Sequence, residues 1–64
     1  MAPLPPTQRD VDAAYRMALA DLADLRRCRA EKQPAAVMAA AKQAYDASER
    51  HWRDTRKAFE AATK

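Results

Sequence analysis

Between Thr7 and Lys64 a single residue, Pro34, interrupts a run of sequence otherwise compatible with helix. The chain has no Gly, and its other three Pro stand at positions 3, 5 and 6. Gln33, just before Pro34, is steered away from helical geometry by the Pro ring. Pro34 itself suits the first position of a helix, where its missing N–H would have no partner anyway. Ala makes up 17 of the 64 residues. It is the strongest intrinsic helix former and a poor strand residue, so a β fold is excluded. The expectation is an all-α fold, an antiparallel two-helix hairpin. Helix 1 spans about 8–31, the turn about 32–33 and helix 2 about 34–62. So short a connection makes the helices neighbours. A single long helix kinked at Pro34 is the alternative, but it would leave both apolar stripes in water.

Pro3, Pro5 and Pro6 make residues 1–6 an extended, Pro-rich arm. Residues 7–64 form the hairpin. Thr7 stands where an N-cap belongs, with Asp10 three residues on as the acidic partner of a capping box. Asp10 and Asp12 favour the positive end of the helix dipole, and Arg26, Arg27, Arg29 and Lys32 its negative end.

Helix 2 carries a regular stripe. Met38, Tyr45, Trp52 and Phe59 recur every seven residues, and Ala41, Ser48, Thr55 and Ala62 recur between them. Large and small positions thus alternate in a coiled-coil-like seam, and a partner helix approaches closely over the small ones. Helix 1 answers with Val11, Tyr15, Ala18, Leu22 and Leu25. Pairing about a turn at Gln33 sets Tyr15 near Trp52, Leu22 near Tyr45, Ala18 near Ser48 and Leu25 near Ala41. The arm then lays Leu4 near Phe59 or Ala62, capping the open end. A seam this narrow offers no cavity for a ligand, so the stripe reads as core.

Two helices cannot cover both flanks of their own seam, and hairpins of this size dimerise or dock. Met17 and Leu19 fall off the helix 1 seam on its two sides. Helix 2 opens with Ala35, Ala36, Val37, Met38, Ala39, Ala40 and Ala41, a stretch without a polar face. These observations nominate Met17, Leu19, Val37, Met38 and Ala40 as a protein interface. The expected assembly is a homodimer forming a four-helix bundle, or docking on a larger protein partner.

The formal net charge is +3. Arg26, Arg27, Arg29 and Lys32 concentrate positive charge at the turn end, while Asp10, Asp12, Asp21 and Asp24 make the rest of helix 1 mildly acidic. The basic end complements the helix dipole without any partner. It also has the chemistry to meet an acidic protein surface or nucleic acid phosphates. No helix-turn-helix, zinc-finger or ribonucleoprotein motif accompanies it. Along helix 2, Asp46–Arg50, Arg50–Asp54, Glu49–Arg53, Arg56–Glu60 and Glu60–Lys64 are spaced for ion pairs on a solvated face.

Catalytic chemistry is not expected. His51 is the sole His and reads as a boundary residue near Trp52. Cys28 is the sole Cys, so no intramolecular disulfide can form. His51 and Cys28 lie far apart in the hairpin and cannot share a metal. Without Gly there is no phosphate-cradling loop. No cofactor, metal or small-molecule substrate is expected. No run of about 18 apolar residues spans a membrane, and no basic-then-apolar leader reads as a signal peptide. The expectation is a non-enzymatic cytoplasmic protein working through protein–protein contacts, with a small nucleic-acid-binding regulator as the alternative. A composition rich in Ala, Arg and Pro but lacking Ile and Asn points to a GC-rich bacterial or phage source.

Overall fold

A computed structural model describes residues 4–63. Pro3 of the arm and Lys64, the partner expected for Glu60, lie outside the described residues. Helix α1 spans Gln8–Ala30 and helix α2 spans Ala35–Thr63. The two pack side by side as an antiparallel hairpin 45 Å long and 19 by 15 Å in section. The long axis is that of α2 itself, whose 29 residues at about 1.5 Å each nearly fill it. Among the described residues there is no strand.

Both ends of α1 are set by local chemistry. Thr7 is the N-cap, with extended backbone, and the capping box is complete. The Asp10 amide donates to the Thr7 hydroxyl at 3.3 Å, and the Thr7 amide donates to the Asp10 carboxylate at 2.9 Å. Two N–H groups that a helix start leaves without partners are thereby satisfied. At the other end Lys32 enters the left-handed region at φ 53°. The Lys32 amide donates to the Arg29 carbonyl at 3.2 Å and the Gln33 amide to the Cys28 carbonyl at 3.0 Å. This pair of bonds is a Schellman motif, whose left-handed position normally takes Gly. With no Gly in the chain, Lys32 carries the Cβ strain instead.

The helix expected to start at about 34 starts at Ala35, and Pro34 takes the cap position rather than the first turn. Its carbonyl accepts from the Met38 amide at 3.0 Å, so it caps α2, and Ala35 is the first helical residue. A one-residue offset of this kind is within the ordinary fraying of helix boundaries.

The core is thin. Val11, Ala14, Ala18 and Leu25 are the buried residues of α1, and α2 has none. Met38, Ala41, Tyr45, Ser48, Trp52, Thr55 and Phe59 form the half-buried line of α2, while Ala62 is exposed. The α2 stripe is thus the packed face over three of its four repeats. On α1 the packed face is rotated from the expected one. Ala14 is only 2% exposed, whereas Tyr15 is 44% exposed. Ala14 has no bulk beyond its Cβ, so α2 can approach closest there. The Tyr15 ring is displaced to the edge of the seam, where it packs on Trp52. Leu22 is likewise half-buried at that edge.

The arm does not cap the open end. Leu4 is 92% exposed. Pro5 and Pro6 hold the chain extended on the way to Thr7. The arm is steered along one flank of the hairpin, where Leu4 and Pro6 edge a groove that Phe59 and Ala62 do not line.

Candidate interaction surface

Helical spacing sorts the uncovered residues into two flanks, on either side of the Val11–Ala14–Ala18–Leu25 line. One flank is polar and tied. Tyr15, Leu19 and Leu22 lie there on α1, facing Glu49, Arg53 and Arg56 on α2. The Arg56 guanidinium stacks 5.0 Å from the centre of the Trp52 ring, opposing an aromatic face with a cation. Glu49 pairs with Arg53, and Arg56 with Glu60 at 3.7 Å. Arg50 lines an outer charged surface with its expected partners Asp46 and Asp54 and with Lys57, but pairs with neither carboxylate among the described residues.

The other flank is apolar and small. On α1 it presents Ala13 and Met17, with Asp10 and Asp24 one heptad to either side of Met17, and on α2 Val37, Ala40, Ala44, Ala47, His51 and Ala58. At the open end it forms a trough of about 560 Å³, open to solvent along its length. Met17, Ala13 and Ala14 form one wall, and Thr55, Ala58, His51 and Asp54 the other, with Leu4 and Asp10 at the mouth. No charged side chain of α2 lies on this flank from Val37 to Ala47.

The five residues nominated as one interface therefore divide. Met17, Val37 and Ala40 share the apolar flank. Met17 is 58% and Val37 44% exposed. Leu19, 47% exposed, belongs to the opposite flank beside Tyr15. It is two residues from Met17, a rotation of about 200° around the helix. Met38 is a half-buried member of the seam. Sequence reasoning missed Ala13, Ala44, Ala47 and Ala58 as members of the surface. Their signal was a second stripe at alternating spacings of three and four beside the first, hidden because Ala is also ordinary helix filler.

Among the described residues one side-chain hydrogen bond crosses the seam. The Ser48 hydroxyl donates to the Asp21 carboxylate in a part-buried position. Asp21 occupies the same line as Ala14, seven residues on, which is why an acidic residue faces the seam at all. A polar pair at one seam position fixes the register of two helices.

The basic turn end is only partly free. Arg27 pairs with Asp24 at 3.0 Å and with Glu31 at 3.8 Å. Arg26, Arg29 and Lys32 are exposed and form no ion pair among the described residues. Cys28 is half-buried and unpaired by any disulfide. The described residues hold no group of three His, Cys, Asp or Glu side chains that would grip a metal ion. Among the described residues no helix is long and apolar enough to cross a membrane.

Comparison with protein-family models, with curated proteins and with solved structures returns no match.

Proposed function

We propose that this chain is a non-enzymatic helical-hairpin protein that acts by docking on another polypeptide, as an assembly part, an adaptor or an inhibitor. The observation that supports this reading is the state of α2. It carries the longest apolar stripe of the chain, yet none of its residues is buried within the hairpin. Only Val11 and Leu25 bring sizeable side chains into the core, at about 2 kcal/mol each. Meanwhile Met17, Val37 and Leu19 stand in water. A hairpin whose main apolar stripe is only half-buried gains stability by docking against a second polypeptide. We place that partnership in the cytoplasm, on the reading of a lone free Cys in a bacterial or phage protein.

Site-specific photo-crosslinking in the cell that makes the protein tests this. A benzophenone amino acid replaces Ala40 on the apolar flank or Arg50 on the charged outer surface. Light-dependent adducts to polypeptide are expected from position 40 and not from position 50. No polypeptide adduct from position 40 would contradict the reading.

A second reading has its own support. Arg26, Arg29 and Lys32 stand together at the turn, outside any ion pair among the described residues, and suit phosphate contacts. Three such contacts would give log affinity a slope of about −3 against log salt on duplex nucleic acid. Fluorescence anisotropy with labelled duplex DNA and structured RNA at low salt measures it. Absence of binding there rejects this reading.

A further inference from the structure

The hairpin is over-exposed for its size. It exposes 5244 Å². A compact monomer of 7.2 kDa exposes about 4,100 Å². The difference, about 1,100 Å², exceeds the roughly 800 Å² that each partner contributes to a standard protein interface. The surplus is also one-sided in chemistry. On α2 the Tyr15 flank carries charged side chains paired with one another, whereas the Met17 flank of α2 has no charged side chain from Val37 to Ala47.

We infer that the occupant of the Met17–Val37–Ala44–Ala58 flank is a second copy of this chain, docked turn end against open end about a two-fold axis to give a four-helix bundle. The inference rests on the protein-docking reading above and names its partner.

Three features of the flank fit a second copy. A single apolar flank per chain is used up in one isologous contact, which closes the assembly and leaves no further edge. The stretch from Val37 to Ala47 has no charged side chain on this flank. Two chains of net charge +3 can therefore meet there without bringing like charges into contact. The few charges at its ends select the orientation. Asp10 and Asp54 border the trough at the open end. At the turn end Asp24 and Glu31 fall on the Met17 line and are paired with Arg27, while Arg26 falls on the Leu19 line. Docking open end to open end would set Asp10 and Asp54 against their own copies, which docking turn to open end avoids.

Small side chains supply the fit. Ala40, Ala44 and Ala47 let two backbones approach closely, as small positions do in any tight helix pair. Val37 and Met17 project from that shallow surface, and the trough beside Ala13 and Ala58 is open to receive side chains of the second copy.

The test is the molar mass of the full chain by multi-angle light scattering and sedimentation equilibrium, across concentration. Ala44→Glu places a carboxylate on the flank, and Gln43→Glu places the same group one residue away on the outer face. Both substitutions use a good helix former, and circular dichroism confirms the helix in each variant. Wild type and Gln43→Glu are expected to be dimers. Ala44→Glu is expected to weaken the dimer about 100-fold or more, because its carboxylate is left unpaired in an apolar contact. A wild-type monomer at several hundred micromolar, a larger oligomer, or a dimer that survives Ala44→Glu undiminished would each overturn the inference. A monomer whose position 40 still crosslinks to a different protein refutes the second copy alone. Loss of all polypeptide adducts from position 40 refutes the docking reading itself.

Discussion

The Tyr15 ring packs on the Trp52 indole with centroids 5.2 Å apart and planes inclined at 51°. The contact joins the two helices at the edge of the seam, with Arg56 stacked on the same indole. A tilted aromatic pair contributes about 0.5–1.5 kcal/mol beyond the area it covers. Tyr15→Ala is expected to lower stability by about 2 kcal/mol, as judged from urea unfolding followed by Trp52 fluorescence. Tyr15→Phe keeps the ring and should change it by less than about 0.5 kcal/mol. Equal losses for the two variants would mean that the hydroxyl, not the ring contact, matters.

Ser48 and Asp21 form the polar tie across the seam. Removing the hydroxyl in Ser48→Ala leaves the Asp21 carboxylate part-buried without its donor, at a cost of about 1–2 kcal/mol. The double variant Ser48→Ala, Asp21→Ala removes both groups and should recover most of that loss. A double-mutant cycle by chemical denaturation reads the coupling, and additive losses would show that the two side chains act separately.

Thr7→Ala deletes the hydroxyl that accepts from the Asp10 amide. The expected loss is about 1 kcal/mol, and it should appear as faster hydrogen exchange confined to the first turn of α1. Thr7→Ser retains the cap and serves as the reference. If Ser and Ala behave alike, the capping box does not hold this end.

Lys32 is the one described non-Gly residue with positive φ. Lys32→Gly removes the Cβ strain of the left-handed position and should raise stability by about 1 kcal/mol, offset in part by the freer unfolded chain. Thermal unfolding monitored by circular dichroism measures the shift. A destabilised variant would show that the Lys32 side chain itself holds the turn.

The α2 stripe was legible because one pattern accounts for it. Large residues recur at every seventh position with small ones between them, and Met38 through Phe59 became the packed line. The α1 face was less legible, because Ala14 and Tyr15 are adjacent and both fit a seam that includes Val11 and Ala18. Hydrophobicity alone selects Tyr15, but the close approach of two helices selects Ala14. Asp21 was read as surface charge for the same reason, although it follows Ala14 by seven residues. The Thr7–Asp10 cap followed from residue types at fixed spacing, which local hydrogen bonding enforces. The left-handed Lys32 did not, because residue type gives no such signal where Gly is absent. The apolar flank was half visible. Met17 and Val37 stand out by size, whereas Ala13, Ala44, Ala47 and Ala58 acquire meaning only when the fold aligns them.

A hairpin completed by a second copy must lose stability on dilution, because unfolding and dissociation are then linked. Urea unfolding of the full chain at protein concentrations spanning about two orders of magnitude measures this directly. The midpoint is expected to fall as the protein is diluted, with Ala44→Glu unfolding at low urea at every concentration. A single cooperative transition with a midpoint independent of concentration would contradict the claim that this chain needs a second copy to complete its core.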